Sequence, residues 1–311
     1  MGAQPVDIVL AAYNGAEYIE ELLKSLLEQD YPAINIYARD DGSTDGCYEK
    51  LCEYAYNNLG FQLIESEKNL GVVKNFDCLL QHTTADYVLL ADQDDYWLPG
   101  KVSASLAGIK DLEIKNGVEM PALFFTDLEV VDSSLNKMAD SFWEYENVRP
   151  GISRKLNKLL IRNVSPGCSM IVNRALLNKA LPLPEGIVMH DWWLILIAAI
   201  FGKVGYSGET TIKYRQHGKN VEGAKNHSIY KKIYNFLFKY EQVKRTTIST
   251  QNQAKRILER YGNEIEDTKL EIVKAYCNSR GENRMMHKYR CYMNRISSKD
   301  LLSNIALYLV I

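Results

Sequence analysis

The stretch Tyr87-Val88-Leu89-Leu90-Ala91-Asp92-Gln93-Asp94-Asp95-Tyr96-Trp97 decides the reading of this chain. Five residues of strand length, Tyr87 to Ala91, run directly into three carboxylates within four positions. Such acids repel one another and are costly at a strand end unless a cation compensates them. Hard divalent ions prefer oxygen ligands and often share them with a substrate's phosphates. One reading is a metal–diphosphate site. The other is a solvated acidic loop, where aspartate is routinely found.

Upstream, strand and helix patterns alternate. Val6 to Ala11 is an apolar run of strand length, and Tyr13-Asn14-Gly15 is a turn. Glu17 to Glu28 reads as a helix, with Ile19, Leu22, Leu23, Leu26 and Leu27 on one face and acids in its first turns. Asn35 to Arg39 is a second strand, and Asp41 to Asp45 a turn that can cap a helix over Gly46 to Leu59. Phe61 to Glu65 is a third strand, followed by a helix from Asn69 to about Gln81. This alternation predicts a parallel sheet with helices on both faces. Ligands of such sheets bind beyond the carboxyl ends of the strands. Tyr13, Asp40 and Asp92 stand at those ends.

Farther on, Leu123 to Asp127 reads as a strand and Leu128 to Met138 as a hairpin turning at Asp132 to Asn136. Leu156 to Ile161 is a helix, Ser169 to Asn173 a strand and Arg174 to Ala180 a helix. A loop over Leu181 to Gly186 leads to an apolar helix from His190 to Phe201. Val204 to Tyr214 supplies one or two short strands. From about Asn226 the pattern is helical, basic and aromatic, with Tyr230, Ile233, Tyr234, Leu237 and Phe238 on one face.

The 311 residues suffice for about two domains. Apolar residues at 46% and charged residues at 24% exclude disordered, collagen-like and disulfide-scaffold chains. The net charge of −2 hides an asymmetry. Residues 1–224 carry 20 Lys/Arg against 31 Asp/Glu, and residues 225–311 carry 17 against 8. The boundary expected from this shift separates an acidic domain, 1–224, from a basic helical region, 225–311. The acidic domain itself divides near residue 100 into two halves, about 1–100 and 101–224. Six cysteines without C-x-x-C spacing, and the lack of a signal-peptide pattern, lead to a cytoplasmic expectation.

In order and spacing, Ala12-Tyr13-Asn14-Gly15, Arg39 to Asp45, Asn69-Leu70-Gly71 and Ala91 to Trp97 resemble family 2 glycosyltransferases. The resemblance covers about residues 5–220. It implies an α/β fold of the GT-A type: a Rossmann-like, mostly parallel sheet flanked by helices, here with a C-terminal helical region. It also implies a nucleoside diphosphate sugar as donor and Mg²⁺ or Mn²⁺ as cofactor. In that family the acid after the second strand reads the base, a role that falls to Asp40. Ala11, Tyr13, Asn14, Asn69 and Asp92 join it around the nucleotide. Asp94 is the direct metal ligand by the same resemblance, and Asp95 either supports that site from behind or caps the next helix.

Downstream, Met189-His190-Asp191-Trp192-Trp193 opens the apolar helix. An acid there can simply cap the helix, and paired tryptophans can simply pack. It can also be a general base that takes the proton of an acceptor hydroxyl. Similar family members carry an acid followed by Asp here, so the base role is carried to Asp191. His190 departs from that pattern and, with Trp192 and Gly167, is assigned to the donor-sugar and acceptor region. His217 is expected to complete the metal site and Arg215 to pair with phosphate. The Tyr37 to Asp45 and Leu89 to Pro99 segments look most like bacterial rhamnosyltransferases of surface polysaccharide synthesis. That resemblance implies dTDP-rhamnose as donor and a saccharide or lipid-linked saccharide as acceptor, with UDP-glucose and UDP-galactose as alternatives.

Two rivals come from other classes. A nucleotidyltransferase needs a basic glycine-rich loop after the first strand, which Ala12 to Glu17 lacks. A non-catalytic sugar-binding or membrane scaffold would keep the fold without needing the acids. For the basic region three readings compete: packing on the catalytic domain, contact with an anionic membrane (Leu301 to Ile311 dipping into the interface), and nucleic-acid binding. No nucleic-acid module is visible, so that partner is not expected.

Overall fold

The computed structural model describes residues 2–66, 68–217, 231–277, 283–298 and 301–311. The first half runs β1 (Val6–Ala12), α1 (Ile19–Leu27), β2 (Ile34–Asp40), α2 (Cys47–Asn57), β3 (Phe61–Leu63), α3 (Val72–His82) and β4 (Tyr87–Asp92). Then come β5 (Tyr96–Trp97), α4 (Lys101–Asn116), β6 (Ala122–Val131), β7 (Lys137–Ala139), α5 (Phe142–Tyr145) and α6 (Leu156–Leu159). β8 (Met170–Asn173), α7 (Arg174–Ala180), α8 (His190–Phe201) and β9 (Lys203–Arg215) complete the sheet-bearing part. The helices α9 (Lys231–Tyr261), α10 (Asp267–Tyr276), α11 (Arg284–Met293) and α12 (Leu301–Val310) follow.

One sheet takes the order β3-β2-β1-β4-β8-β6-β9-β5, with β7 beside β6. β1 pairs in parallel with both β2 and β4, so the strand order reverses between β1 and β4. A crevice opens at such a reversal, beyond the carboxyl ends of the two strands. β8 runs antiparallel between β4 and β6 and closes the second half of the sheet. The result is a mixed, mostly parallel sheet flanked by helices, as expected. Where one or two short strands were expected over Val204 to Tyr214, a single strand runs from Lys203 to Arg215. Its parallel pairing with β6 tolerates two register shifts, which let one strand follow the whole edge.

Hydrophobic burial holds the two sheet faces separately. Ile8, Leu10 and Leu89 meet α1 and Val102, Leu106 and Ile109 of α4 on one side. Val9, Val88 and Leu90 meet Phe76, Leu79 and Leu80 of α3 and nearly all of α8 on the other. That second core also contains Ala254, Ile257 and Tyr261 of α9 and Val273 and Tyr276 of α10. The C-terminal helices therefore pack on the sheet-bearing part, the first of the three readings for the basic region. Arg260 donates to the carbonyls of Ala180, Leu181 and Pro182, and Asn157 donates to those of Asn294 and Arg295. Leu307 of α12 and Ile311 just after it are buried, so that segment is docked rather than turned wholly outward. The aromatic face at Tyr230, Ile233, Tyr234, Leu237 and Phe238 lies outside the residues whose side chains are described. Among the described residues, no helix is long and apolar enough to cross a membrane.

Candidate active site

A cleft of about 1020 Å³ opens at the reversal point. Ala11, Tyr13, Asn14 and Asn69 line one end, Asp92, Asp94 and His217 its flank, and Gly167, His190, Asp191 and Trp192 the far wall. Residues separated by up to two hundred positions thus meet in one space.

The end of the cleft beyond β1 and β2 is built from loops that lock each other. Asn14, held at a positive φ of 50°, donates its N–H to Ser43 Oγ and accepts from Thr44 N–H through Oδ1 at 2.9 Å. Gln93 accepts from Tyr13 N–H (2.7 Å) and donates to Tyr13 O (2.9 Å), joining the β1 loop to the acidic loop. Asp40 does not reach the cleft. Its carboxylate accepts from the N–H groups of Gly42 and Ser43 and from Ser43 Oγ, which turns it into its own loop. Asp41 lines the cleft instead. Its oxygens are engaged by Arg39, Leu70 N–H and Gly71 N–H, so it fixes the Asn69 loop against β2. Asp45 accepts from Cys47 N–H at the start of α2 and from Ala16 N–H, a structural duty.

At the end of β4 the acids divide. Asp94 faces the cleft, and its Oδ2 lies 2.8 Å from Nε2 of His217. His217 in turn stacks on Tyr18 with ring centroids 4.8 Å apart. An oxygen donor beside an imidazole suits Mg²⁺ or Mn²⁺ at a site that keeps room for phosphate oxygens. Asp92, Asp95 and Cys168 form a second group whose ligand atoms lie within 4.8 Å of one another. Burial, then the charge of Asp94, pushes Asp92 up to about 7, against a weaker opposing hydrogen bond from Cys168. Burial also raises the Cys168 thiol well above its usual range. A buried, protonated thiol is a poor partner for a hard ion. The Asp94–His217 pair therefore fits the group better. Behind them Lys101 is fully buried, donates to Ser169 O and Thr126 Oγ1, and is drawn down to about 7 by burial.

Arg215 does not reach the cleft. It is 1% exposed, and its guanidinium donates to Asp94 O, Ser133 O and Glu21. Its cation thus ties the acidic loop to α1 and the β6–β7 turn, and is not presented to a ligand.

On the far wall, Asp191 stands in the first turn of α8. Its Oδ1 accepts from Trp192 N–H at 2.6 Å and its Oδ2 from Asn163 Nδ2 at 3.0 Å. The carboxylate is held in one orientation while it lines the cleft. Trp192 donates its indole N–H to Leu159 O, so only its ring is offered to a ligand. His190 stacks on Phe76 with centroids 3.7 Å apart. Burial lowers its pKa to about 3, and neither ring nitrogen has a protein partner. A Cβ at Gly167 would stand 3.0 Å from His190 Nε2, so this glycine makes room for the histidine.

Sequence reasoning missed Gln93, Asp41, Asn163 and Tyr18. Gln93 carried a signal, since it separates the two cleft acids. Asn163 carried none, because its partner is 28 residues away.

Both the strand order and this cleft define a GT-A glycosyltransferase. The chain matches the family described as Glycosyl transferase family 2 over residues 7–179, and it belongs to that family. It is 29% identical over 227 residues to the dTDP-rhamnosyl transferase RfbG of Shigella flexneri, covering 69% of this chain and 74% of that one. Its fold is similar to S. aureus TarS 1-349 in complex with UDP-GlcNAc, with a TM-score of 0.56 and 18% identity. That match covers 98% of this chain and 90% of the other, but a longer TarS chain is covered only to 42%. The mannosyltransferase PcManGT of Pyrobaculum calidifontis, in complex with GDP-Man and Mn²⁺, has a TM-score of 0.54 and 15% identity, covering 99% of this chain and 80% of that one.

Proposed function

We propose that this chain is an inverting, metal-dependent glycosyltransferase that uses dTDP-rhamnose and extends a saccharide or lipid-linked saccharide of the cell surface. The observation that carries the reading is one cleft lined by Asp92, Asp94, His217 and Asp191. The rhamnose donor is supported by the likeness to RfbG.

In this reading Ala11, Tyr13, Asn14 and Asn69 hold the nucleotide, with Asp41 fixing the loop beside it. Asp94 and His217 would hold Mg²⁺ or Mn²⁺, and such an ion neutralises the charge of the leaving diphosphate. Asp191 takes the proton of the acceptor hydroxyl. The acceptor oxygen forms its bond to the anomeric carbon as the bond from that carbon to the diphosphate oxygen breaks, with inversion. Asn163 and Trp192 N–H keep the base aimed, which is worth more than its basicity alone. His190, neutral, Trp192 and Gly167 shape the wall around the sugar. The domain division at residue 224 is part of this proposal, with the basic helices closing the acceptor end.

A donor screen tests it. Hydrolysis and transfer are measured with dTDP-rhamnose, UDP-glucose and UDP-galactose, with Mn²⁺ and after chelation. Turnover is expected with dTDP-rhamnose only and to return when Mn²⁺ is restored. Asp191→Asn is expected to lower kcat by about 10²–10⁴ while donor binding persists. Full activity of that variant would remove the base role, and preference for a UDP-sugar would replace the donor.

A further inference from the structure

Helix α11 turns an apolar face to the outside. Met285, Met286, Tyr289, Tyr292 and Met293 are each between 54% and 76% exposed. At about 100° per residue they fall within an arc of about 120°. The opposite side is anchored: His287 and Cys291 are buried, with the Cys291 thiol donating to Ala275 O at 3.1 Å. The outward face is therefore set by packing on α10. Helical spacing puts Lys288 on one border of the arc and Arg290 on the other. From 283 to 298 the chain holds four basic residues (Arg284, Lys288, Arg290, Arg295) and no acidic one. Arg284 also donates to the carbonyls of Leu309 and Ile311, so the end of α12, where Ile305 and Leu309 are exposed, adjoins the start of α11.

Single exposed apolar residues are ordinary on a soluble protein, but five large ones on one helical face mark a contact surface. We propose that this face docks on an anionic lipid surface. The methionines and tyrosines enter the interfacial layer, and Lys288 and the exposed Arg295 meet phosphate headgroups. A second copy of the chain is the poorer occupant, because it would bring two acid-free basic helices together. The α11 face, and not the partly buried α12, is the element that makes the contact. Tyr276, Ser298 and Leu307 from the same group of helices line the cleft, so docking would hold its acceptor end near the lipid. The inference stands apart from the donor reading, since vesicle binding needs no turnover.

The full chain is sedimented with vesicles of phosphatidylglycerol mixed with phosphatidylcholine, and with phosphatidylcholine alone. Two variants are compared, M285S/Y289S/Y292S and K288Q/R295Q, each checked for an unchanged thermal midpoint. The wild type is expected to sediment with the anionic vesicles and to lose binding as salt is added. Each variant is expected to partition about tenfold less. Wild type that stays in solution with both vesicles overturns the proposal, as does a variant of unchanged midpoint that binds undiminished. So does a wild-type dimer that the triple substitution converts to monomer, which would assign the face to a second copy.

Discussion

His190 is a neutral polar side chain kept dry beside the proposed base. Its folded pKa, about 3, lies below the roughly 6.5 of an exposed histidine. Between these values the unfolded chain takes up a proton that the folded one refuses. Stability is therefore lost as pH falls through about 6.5 toward 3, by about 1.4 kcal/mol per unit. The raised Asp92 acts with the opposite sign, losing stability as pH rises toward 7. Comparing wild type with His190→Phe isolates the histidine. Urea unfolding from about pH 7 to about pH 5 is expected to cost the wild type about 2 kcal/mol more than the variant. Parallel profiles would mean that the imidazole is hydrated or paired in the native state. The same scale sets how far the site could be read beforehand. The acids of Asp92 to Asp95 announced themselves by mutual repulsion. The choice between Asp40 and Asp41 did not, because adjacent aspartates differ only in which way the turn at Gly42 (φ 84°) aims them. Arg215 looked like a phosphate ligand for want of any sequence signal that Glu21 would claim it.

Among the elements, β1, β2 and β4 were legible as apolar runs because both faces of a parallel sheet are covered. Helix α4 was not singled out, since its buried stripe includes Lys101, Ser105 and Glu113, which break the apolar period. The short β5 has only two residues and owes its strand form to β9. Helix α9 has a measurable role as a clamp. Arg260 engages three successive carbonyls at the end of α7, those of its last residue and of the two that follow, which have no intrahelical partner of their own. Arg260→Ala is expected to destabilise the chain by about 1–3 kcal/mol and to raise proteolysis within α9. A denaturation midpoint equal to wild type would show that water replaces the guanidinium without loss.

At the scale of the molecule, the charge shift at residue 224 separates two surfaces built over a shared core. Ile257, Tyr261, Val273 and Tyr276 share a core with α8 and Leu90. A chain ending at His217 is expected to expose that core and to aggregate or melt well below the full chain. The full chain is expected to unfold in one transition by circular dichroism and tyrosine fluorescence. A soluble, equally stable truncation would separate the two regions after all. The sequence could not reveal this docking, because the contacts join α7 and α8 to helices more than fifty positions away and leave no local period.

The Gln93 bridge has a mechanical meaning. A glutamine side chain carries the same amide donor and acceptor as a peptide unit, and here it faces the main chain of Tyr13 as a neighbouring strand would. The sheet is thus lengthened by one rung that costs no extra strand. The Tyr13 loop and the loop carrying Asp92 and Asp94 are therefore joined side chain to main chain, and in the proposed reading a shift of one, on binding a nucleotide or an ion, is expected to be passed to the other.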